Sequence, residues 1–160
     1  MYSPLEVKLM KKERVFSQSM FFGLILSGIV SSALLFLSRF FAGGVMNFRE
    51  DIWMYIIFAP AFAIGFGVLG LYLYNHPNRS NQQMWEITAI SVIAMAMFSG
   101  TVGMAISEVI SHGFEGANLF GQILWGFMCA LFSLPITIPL GKLIVEVLAE
   151  FVGSMKIRML

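Results

Sequence analysis

The chain carries little charge. Asp, Glu, Lys and Arg make up 12% of its 160 residues, 58% are hydrophobic, and the mean hydropathy is +0.82. An ordinary soluble domain has about 25% charged residues, and a chain of this size cannot bury so much apolar surface in a core of its own. The composition therefore excludes a soluble domain and indicates that membrane lipid covers much of the surface.

Cysteine and histidine are also scarce. Cys129 is the single cysteine and lies in an apolar run, which excludes a disulfide within one chain and CxxC chemistry. The two histidines, His76 and His112, lie at opposite ends of one apolar stretch, so one chain cannot supply both axial ligands of a haem. A Ser-His-Asp arrangement, a phosphate-binding glycine loop, a recognised metal motif and a nucleic-acid signature are absent as well. We expect a non-catalytic protein with no cofactor, no metal and no nucleic-acid partner.

Four apolar stretches are long enough to cross a bilayer, whose hydrocarbon core of about 30 Å takes about 20 residues of helix. The polar, turn-rich segments "GGVMNFRED", "NHPNRSNQQ" and "SHGFEGAN" separate them. Helices satisfy their own backbone in lipid, and these runs lack the alternation of barrel strands. We predict an all-α fold, a polytopic membrane four-helix bundle over residues 16–141, with spans at 16–42, 52–74, 87–110 and 119–138.

The basic residues predict the orientation of the bundle. If the N-terminus is cytoplasmic, all lysines and arginines except Arg39 and Arg49 fall on the cytoplasmic side. Short cytoplasmic loops carry such an excess of basic residues. We therefore predict a multi-pass protein of the cell inner (cytoplasmic) membrane with both termini in the cytoplasm.

Both ends of the chain have amphipathic character. In "SPLE", Ser3 is a candidate N-cap and Glu6 completes a capping box, which predicts a short basic helix in segment 1–15 on the anionic inner leaflet. Segment 142–160 is predicted to be a second amphipathic surface segment. Its polar residues recur at helical spacing: Lys142, Glu146 and Glu150.

Two prolines lie four residues apart in "WGFMCALFSLPITIPLGKLIVE". Pro135 lies about 24 Å and Pro139 about 30 Å along the fourth span, and neither donates a backbone hydrogen bond. Ser133 and Thr137 are close enough to offer hydroxyls to the freed carbonyls. Two interpretations are open: a hinge where the span ends and a surface helix begins, or a broken helix that frames a substrate site. We favour the hinge, because a broken-helix site belongs near the bilayer midplane.

Small residues at four-residue spacing indicate tight helix packing. Apolar side chains gain nothing by leaving lipid, so membrane helices associate where small residues allow close approach. The longest such stripes are Ala59, Ala63 and Gly67 on the second span and Ser99, Gly103 and Ser107 on the third.

The two halves of the chain also share a sequence pattern. The pattern S-x₅-G followed by F-x₄-W occurs within residues 38–53 and again within 107–125. Tandem duplication of a two-helix unit and chance in a biased composition both account for it. A duplication would place two helical hairpins around a pseudo-twofold axis along the membrane normal.

The second half, "HGFEGANLFGQILWGFMCALFSLPITIPLGKLIVE", resembles the signature of small two-helix bacterial inner-membrane proteins of unknown function. The resemblance covers residues 88–150 at most. It implies a helical hairpin and supports a tandem arrangement, and it implies no activity. The matching positions are Gly113, Phe114, Phe120, Trp125, Ala130, Pro135, Pro139 and Lys142.

The predicted outer end of the bundle collects polar side chains, whereas the sequence places no charged residue near the midplane. The candidate outer-interface polar cluster is Arg39, Glu108, His112 and Glu115. Glu108 and His112 are spaced to share a helix face, and with Glu115 or Asp51 they offer a hypothetical metal site. We favour interfacial positions with an ion pair between Arg39 and Glu108, because three dispersed ligands are no recognised metal signature.

Three functions fit these observations. We favour an accessory, scaffold or regulatory subunit that interacts with membrane lipid and with other transmembrane helices, of its own kind or of a larger complex. The first alternative is a homo-oligomeric small transporter or channel. The second is a membrane enzyme that acts on lipid or quinone at the outer interface through Glu108 and His112.

Overall fold

The computed structural model describes residues 4–42, 48–116 and 118–158. Over these residues the fold is all-α, with α1 (Pro4–Ala42), α2 (Phe48–Asn75), α3 (Asn81–Phe98), a π-helical segment (Ser99–Gly103), α4 (Met104–Gly116) and α5 (Leu119–Arg158). α3, the π-helical segment and the first part of α4 form one span. The described residues thus contain four helices that are long and apolar enough to cross a membrane: Leu9–Leu37, Ile52–Asn75, Asn81–Ile110 and Leu119–Met155. The prediction of an all-α membrane four-helix bundle is confirmed.

The helices form two hairpins. α1 packs mainly on α2, and α5 packs mainly on α3 and the π-helical segment, while α2 also contacts α3, α4 and α5. α1 has no contact with α3 or α4 among the described residues. α2 therefore lies in the interior of the bundle, and α1 lies on its outside.

The core is concentrated at the end of the bundle that holds the start of α1, the 76–80 connection and the end of α5, here called the terminal end. Phe22 packs near Phe66 and Phe151, with ring centroids 5.7 and 6.2 Å away. In lipid the gain comes from shape-matched van der Waals contact rather than from the hydrophobic effect. The buried cluster joins all four spans: Val15, Phe66, Leu69, Leu73, Met95, Val145, Leu148, Val152 and Met155.

α5 passes through both prolines as one helix of 40 residues, about 60 Å long. The Ser133 hydroxyl donates to the carbonyl of Ala130 at 2.8 Å, and the Thr137 hydroxyl donates to that of Ser133 at 3.0 Å. The carbonyls of Ala130 and Ser133 are not the ones that lose their backbone donor at the two prolines. Residues 142–158, predicted as a separate surface segment, continue this helix and bury apolar side chains in the core cluster.

The third span changes its helical geometry midway. Ser99–Gly103 forms a π-helical segment, in which hydrogen bonds run from residue i to i+5. The Thr101 hydroxyl donates to the carbonyl of Met97 at 2.6 Å on the turn before it. Near the other end of the span, Gly113 interrupts the helical run with φ +72 and ψ 169, a backbone conformation that glycine tolerates best.

Candidate functional site

The described residues that are polar and buried are all serine or threonine: Ser19, Ser27, Ser31, Thr88 and Ser99. Hydroxyls also join α1 to α2. Ser32 Oγ and Tyr55 OH lie 2.9 Å apart, and Ser31 Oγ donates to the carbonyl of Met54 at 3.5 Å. The buried polar contacts at this interface are therefore uncharged, which suits tight helix packing.

The predicted small-residue stripes lie at helix–helix contacts. On α2, Ala63 and Gly67 are buried and Ala59 is half-buried, and a side chain at Gly67 would collide with the Phe16 ring of α1. On the third span, Ser99 and Gly103 are buried, and Gly103 faces the backbone of Ile57 on α2. The side chain of Ser107 lies outside the described residues.

A close helix crossing joins the π-helical segment to α5. A Cβ atom placed on Gly126 would lie 1.5 Å from the carbonyl oxygen of Gly100, and one on Gly100 would lie 2.4 Å from the carbonyl oxygen of Gly126. Ala130, one turn further along α5, is buried against the same segment. The two backbones are thus in direct contact, and any side chain at either glycine must push them apart.

The predicted outer polar cluster is partly assembled around Glu108. Its side chain is 13% exposed, and its Oε1 lies 3.4 Å from Nδ1 of His112, which is 59% exposed. The same oxygen accepts a hydrogen bond from the backbone N–H of Asn118 at 3.3 Å. Glu108 therefore ties the end of the third span to the start of α5.

The other members of that cluster are less closely joined. Arg39 lies in the last turn of α1, where a cation is favoured by the helix dipole, and α1 does not contact α4 within the described ranges. Its ion pair with Glu108 stays a prediction. The side chain of Glu115 lies outside the described residues. Within the described part of the chain, no group of three or more potential His, Cys, Asp or Glu ligands is close enough to hold a metal ion.

The terminal end carries a second polar arrangement, which the sequence analysis missed. Residues of the 76–80 connection and of the adjoining helix ends line a cavity of about 250 Å³: chiefly Tyr72, His76, Arg79, Gln83 and Glu86. The N-terminus of α3 is already capped there, because Ser80 and Gln83 form a reciprocal capping box. The one sequence signal for this cavity was a lone arginine in a short loop that follows an aromatic helix end.

Arg79 is held firmly at the edge of this cavity. Its guanidinium donates to the carbonyl of Leu73 and to the Met84 sulfur, and it lies 5.7 Å from the centroid of the Tyr72 ring. Its Nε is buried without a hydrogen-bond partner. Burial lowers the pKa of Arg79, although the Tyr72 hydroxyl acts in the opposite direction. An arginine stays protonated at neutral pH even so.

A third contact fixes the distal part of α5 to the start of α3. Lys142 lies 2.6 Å from Glu146 one turn along, and its Nζ lies 5.0 Å from the centroid of the Trp85 ring. The Lys142 side chain is 13% exposed, so the cation is largely covered by these two neighbours. The contact joins helices and leaves little room for a ligand.

Comparisons with protein-family models, with curated proteins and with solved structures find no match to this chain. The resemblance of the second half to two-helix membrane proteins therefore stays a prediction.

Proposed function

We propose that the protein is a non-catalytic membrane subunit that acts through helix–helix contacts, as an accessory, scaffold or regulatory component. The main support for this proposal is the exposed apolar surface of α5. In the most apolar stretch of its span, 11% of the residues are buried inside the bundle, against 44% for the α2 span. Large side chains project from its uncovered face, and Phe132 is 76% exposed. α5 therefore offers a long apolar surface to lipid and to the helices of a partner.

The character of the interior supports the same proposal. The buried polar residues carry uncharged hydroxyl groups. At the glycines, the helices pack backbone against backbone. Intramembrane charges are the usual mark of ion pathways and proton relays. A close-packed bundle whose buried polar residues, within the described ranges, are all serine or threonine is suited to holding a fixed shape against which other helices pack.

The proposed location is the inner membrane, with both termini cytoplasmic. The biased distribution of lysine and arginine supports this orientation. Four spans bring the two ends of the described chain to the same side, and the core cluster joins Val15 of α1 to Val152 of α5 there.

Affinity purification from native membranes in mild detergent tests the proposal. We expect the parent chain to retain a membrane partner, Phe132→Ala to lose it, and the matched control Phe21→Ala, on the 64% exposed Phe21 of α1, to retain it. Neither substitution should change the fold, because both side chains point away from the bundle. A parent chain that stays monomeric and partner-free in several detergents would contradict the proposal.

A homo-oligomeric small transporter or channel is the second candidate. The π-helical segment favours it, because π-turns within helices are frequent at functional sites. Purified protein in liposomes, tested for flux of a range of ions and small solutes, separates this candidate from the first. Solute-dependent flux by an oligomer would replace the accessory role.

A further inference from the structure

The polar cavity at the terminal end contains the positive charge of Arg79. Arg79 forms no ion pair among the described residues: its contacts are the Leu73 carbonyl, the Met84 sulfur and the Tyr72 ring. A partly buried cation is stabilised by an anion that accepts its hydrogen bonds. The cavity therefore favours an anionic group beside the guanidinium.

The side chains next to Arg79 form one wall of the cavity. The His76 ring stacks on the Tyr72 ring with centroids 4.5 Å apart, and His76 Nδ1 lies 3.1 Å from the Tyr72 carbonyl. These contacts hold the imidazole beside the cavity that Arg79 also lines. The cavity therefore has a fixed aromatic wall and a fixed guanidinium.

Glu86 adds a charge of the opposite sign to the same cavity. It is exposed and accepts a hydrogen bond from Gln82 at 3.2 Å. A carboxylate there repels a ligand that is purely anionic. A ligand with a phosphate for Arg79 and an ammonium group for Glu86 satisfies both charges.

The position of the cavity at the membrane boundary favours a lipid over a soluble molecule as its ligand. The spans on either side end at Asn75 and begin again at Asn81, so the 76–80 connection lies where an apolar span meets the headgroup layer. Phospholipid headgroups are present there at a far higher local concentration than any solute. Tyr72, an aromatic residue at this boundary, is typical of a membrane interface.

We propose that this cavity binds the headgroup of a phospholipid that carries a primary amine, with the phosphate at Arg79 and the ammonium group at Glu86. This site is independent of the proposed partner surface on α5. It would hold one lipid at the connection between the two hairpins and fix their mutual position.

Native mass spectrometry of the full chain, purified in detergent and stripped of lipid, measures the binding. The probes are phosphatidylethanolamine, phosphatidylglycerol and phosphatidylcholine with identical acyl chains. We expect phosphatidylethanolamine to bind tightest. Arg79→Gln should weaken its binding about tenfold or more, because it removes a charged hydrogen-bond donor. The matched control Arg14→Gln, on the exposed Arg14 of the same end, should bind as the parent does.

Glu86→Gln tests the selectivity separately and should not disturb the fold, because the side chain is exposed. We expect it to abolish the preference for phosphatidylethanolamine over phosphatidylglycerol. An unchanged preference overturns the proposal, even if Arg79→Gln proves too unstable to purify. Equal binding by parent and a folded Arg79→Gln variant overturns it too. Displacement of the lipid by excess inorganic phosphate would mean that the site takes free phosphate, which also overturns the lipid assignment.

Discussion

The crossing of Gly100 and Gly126 gives the sharpest prediction for the fold. In Gly126→Ala the new Cβ would start 1.5 Å from the carbonyl oxygen of Gly100, whereas Cβ atoms essentially never come closer than 3.0 Å. The obstacle is backbone, so no side-chain rotation relieves it and the two helices must separate. Overpacking of this kind costs about 1–3 kcal/mol, and the better helix propensity of alanine returns up to about 1 kcal/mol. We expect a net loss of about 1–2 kcal/mol in the free energy of unfolding.

Unfolding in mixed micelles with increasing SDS, followed by circular dichroism, measures this loss. Gly28→Ala is the matched control, because a Cβ at Gly28 meets nothing within 4 Å, and it should be neutral or slightly stabilising. Gly100→Ala should resemble Gly126→Ala, since its Cβ would lie 2.4 Å from the carbonyl oxygen of Gly126. If Gly126→Ala unfolds at the same SDS fraction as Gly28→Ala, the backbone contact between the two helices does not exist.

Three further predictions concern the helix contacts and the topology. A double-mutant cycle of Ser32→Ala and Tyr55→Phe should give a coupling of about 0.6 kcal/mol, the usual size for a hydrogen bond between membrane helices; additive losses would show that the two hydroxyls do not interact. Glu108→Ala should lower the midpoint of heat denaturation in detergent, because Asn118 loses its acceptor, and a smaller effect in an Arg39→Ala background would show the predicted ion pair. A variant as heat-stable as the parent would exclude both contacts. Asn78→Cys, made after the native cysteine is replaced by serine, should resist a membrane-impermeant thiol reagent added to intact cells, whereas labelling would reverse the predicted orientation.

Hydropathy predicted the number of spans and the fold class because bilayer thickness imposes a length on each apolar run. Leu119 is the predicted and observed start of the fourth helix. The end differs: the expected span stops at residue 138, whereas α5 continues to Arg158. Prolines remove hydrogen-bond donors, but a continuous helix still satisfies the neighbouring backbone groups, and Leu148 and Val152 pack into the core beyond them.

The local helical geometry of the third span could not be predicted from the sequence. Serine and glycine spacing predicted packing at Ser99 and Gly103, and both are buried. The π-helical segment between them lies against Gly126 of another helix, and no pattern within the span itself encodes that contact.

The polar sites, too, could be predicted from the sequence only in part. Spacing alone indicated that Glu108 and His112 share a face, and they lie 3.4 Å apart. The cavity around Arg79 depends on the loop returning over Tyr72 and onto the Leu73 carbonyl. Such a return is set by tertiary structure, so the residues looked like an ordinary connection in the sequence.

α5 touches α1, α2, α3, the π-helical segment and α4, and it follows all of them in chain order. Helices of a membrane protein insert individually before they associate. Gly126 and Gly141 of α5 pack against Gly100 and Val92 of the third span, so these two faces stay unfilled until α5 has been synthesised. The bundle therefore closes only when α5 inserts, and nascent chains stalled before α5 would display these unfilled faces.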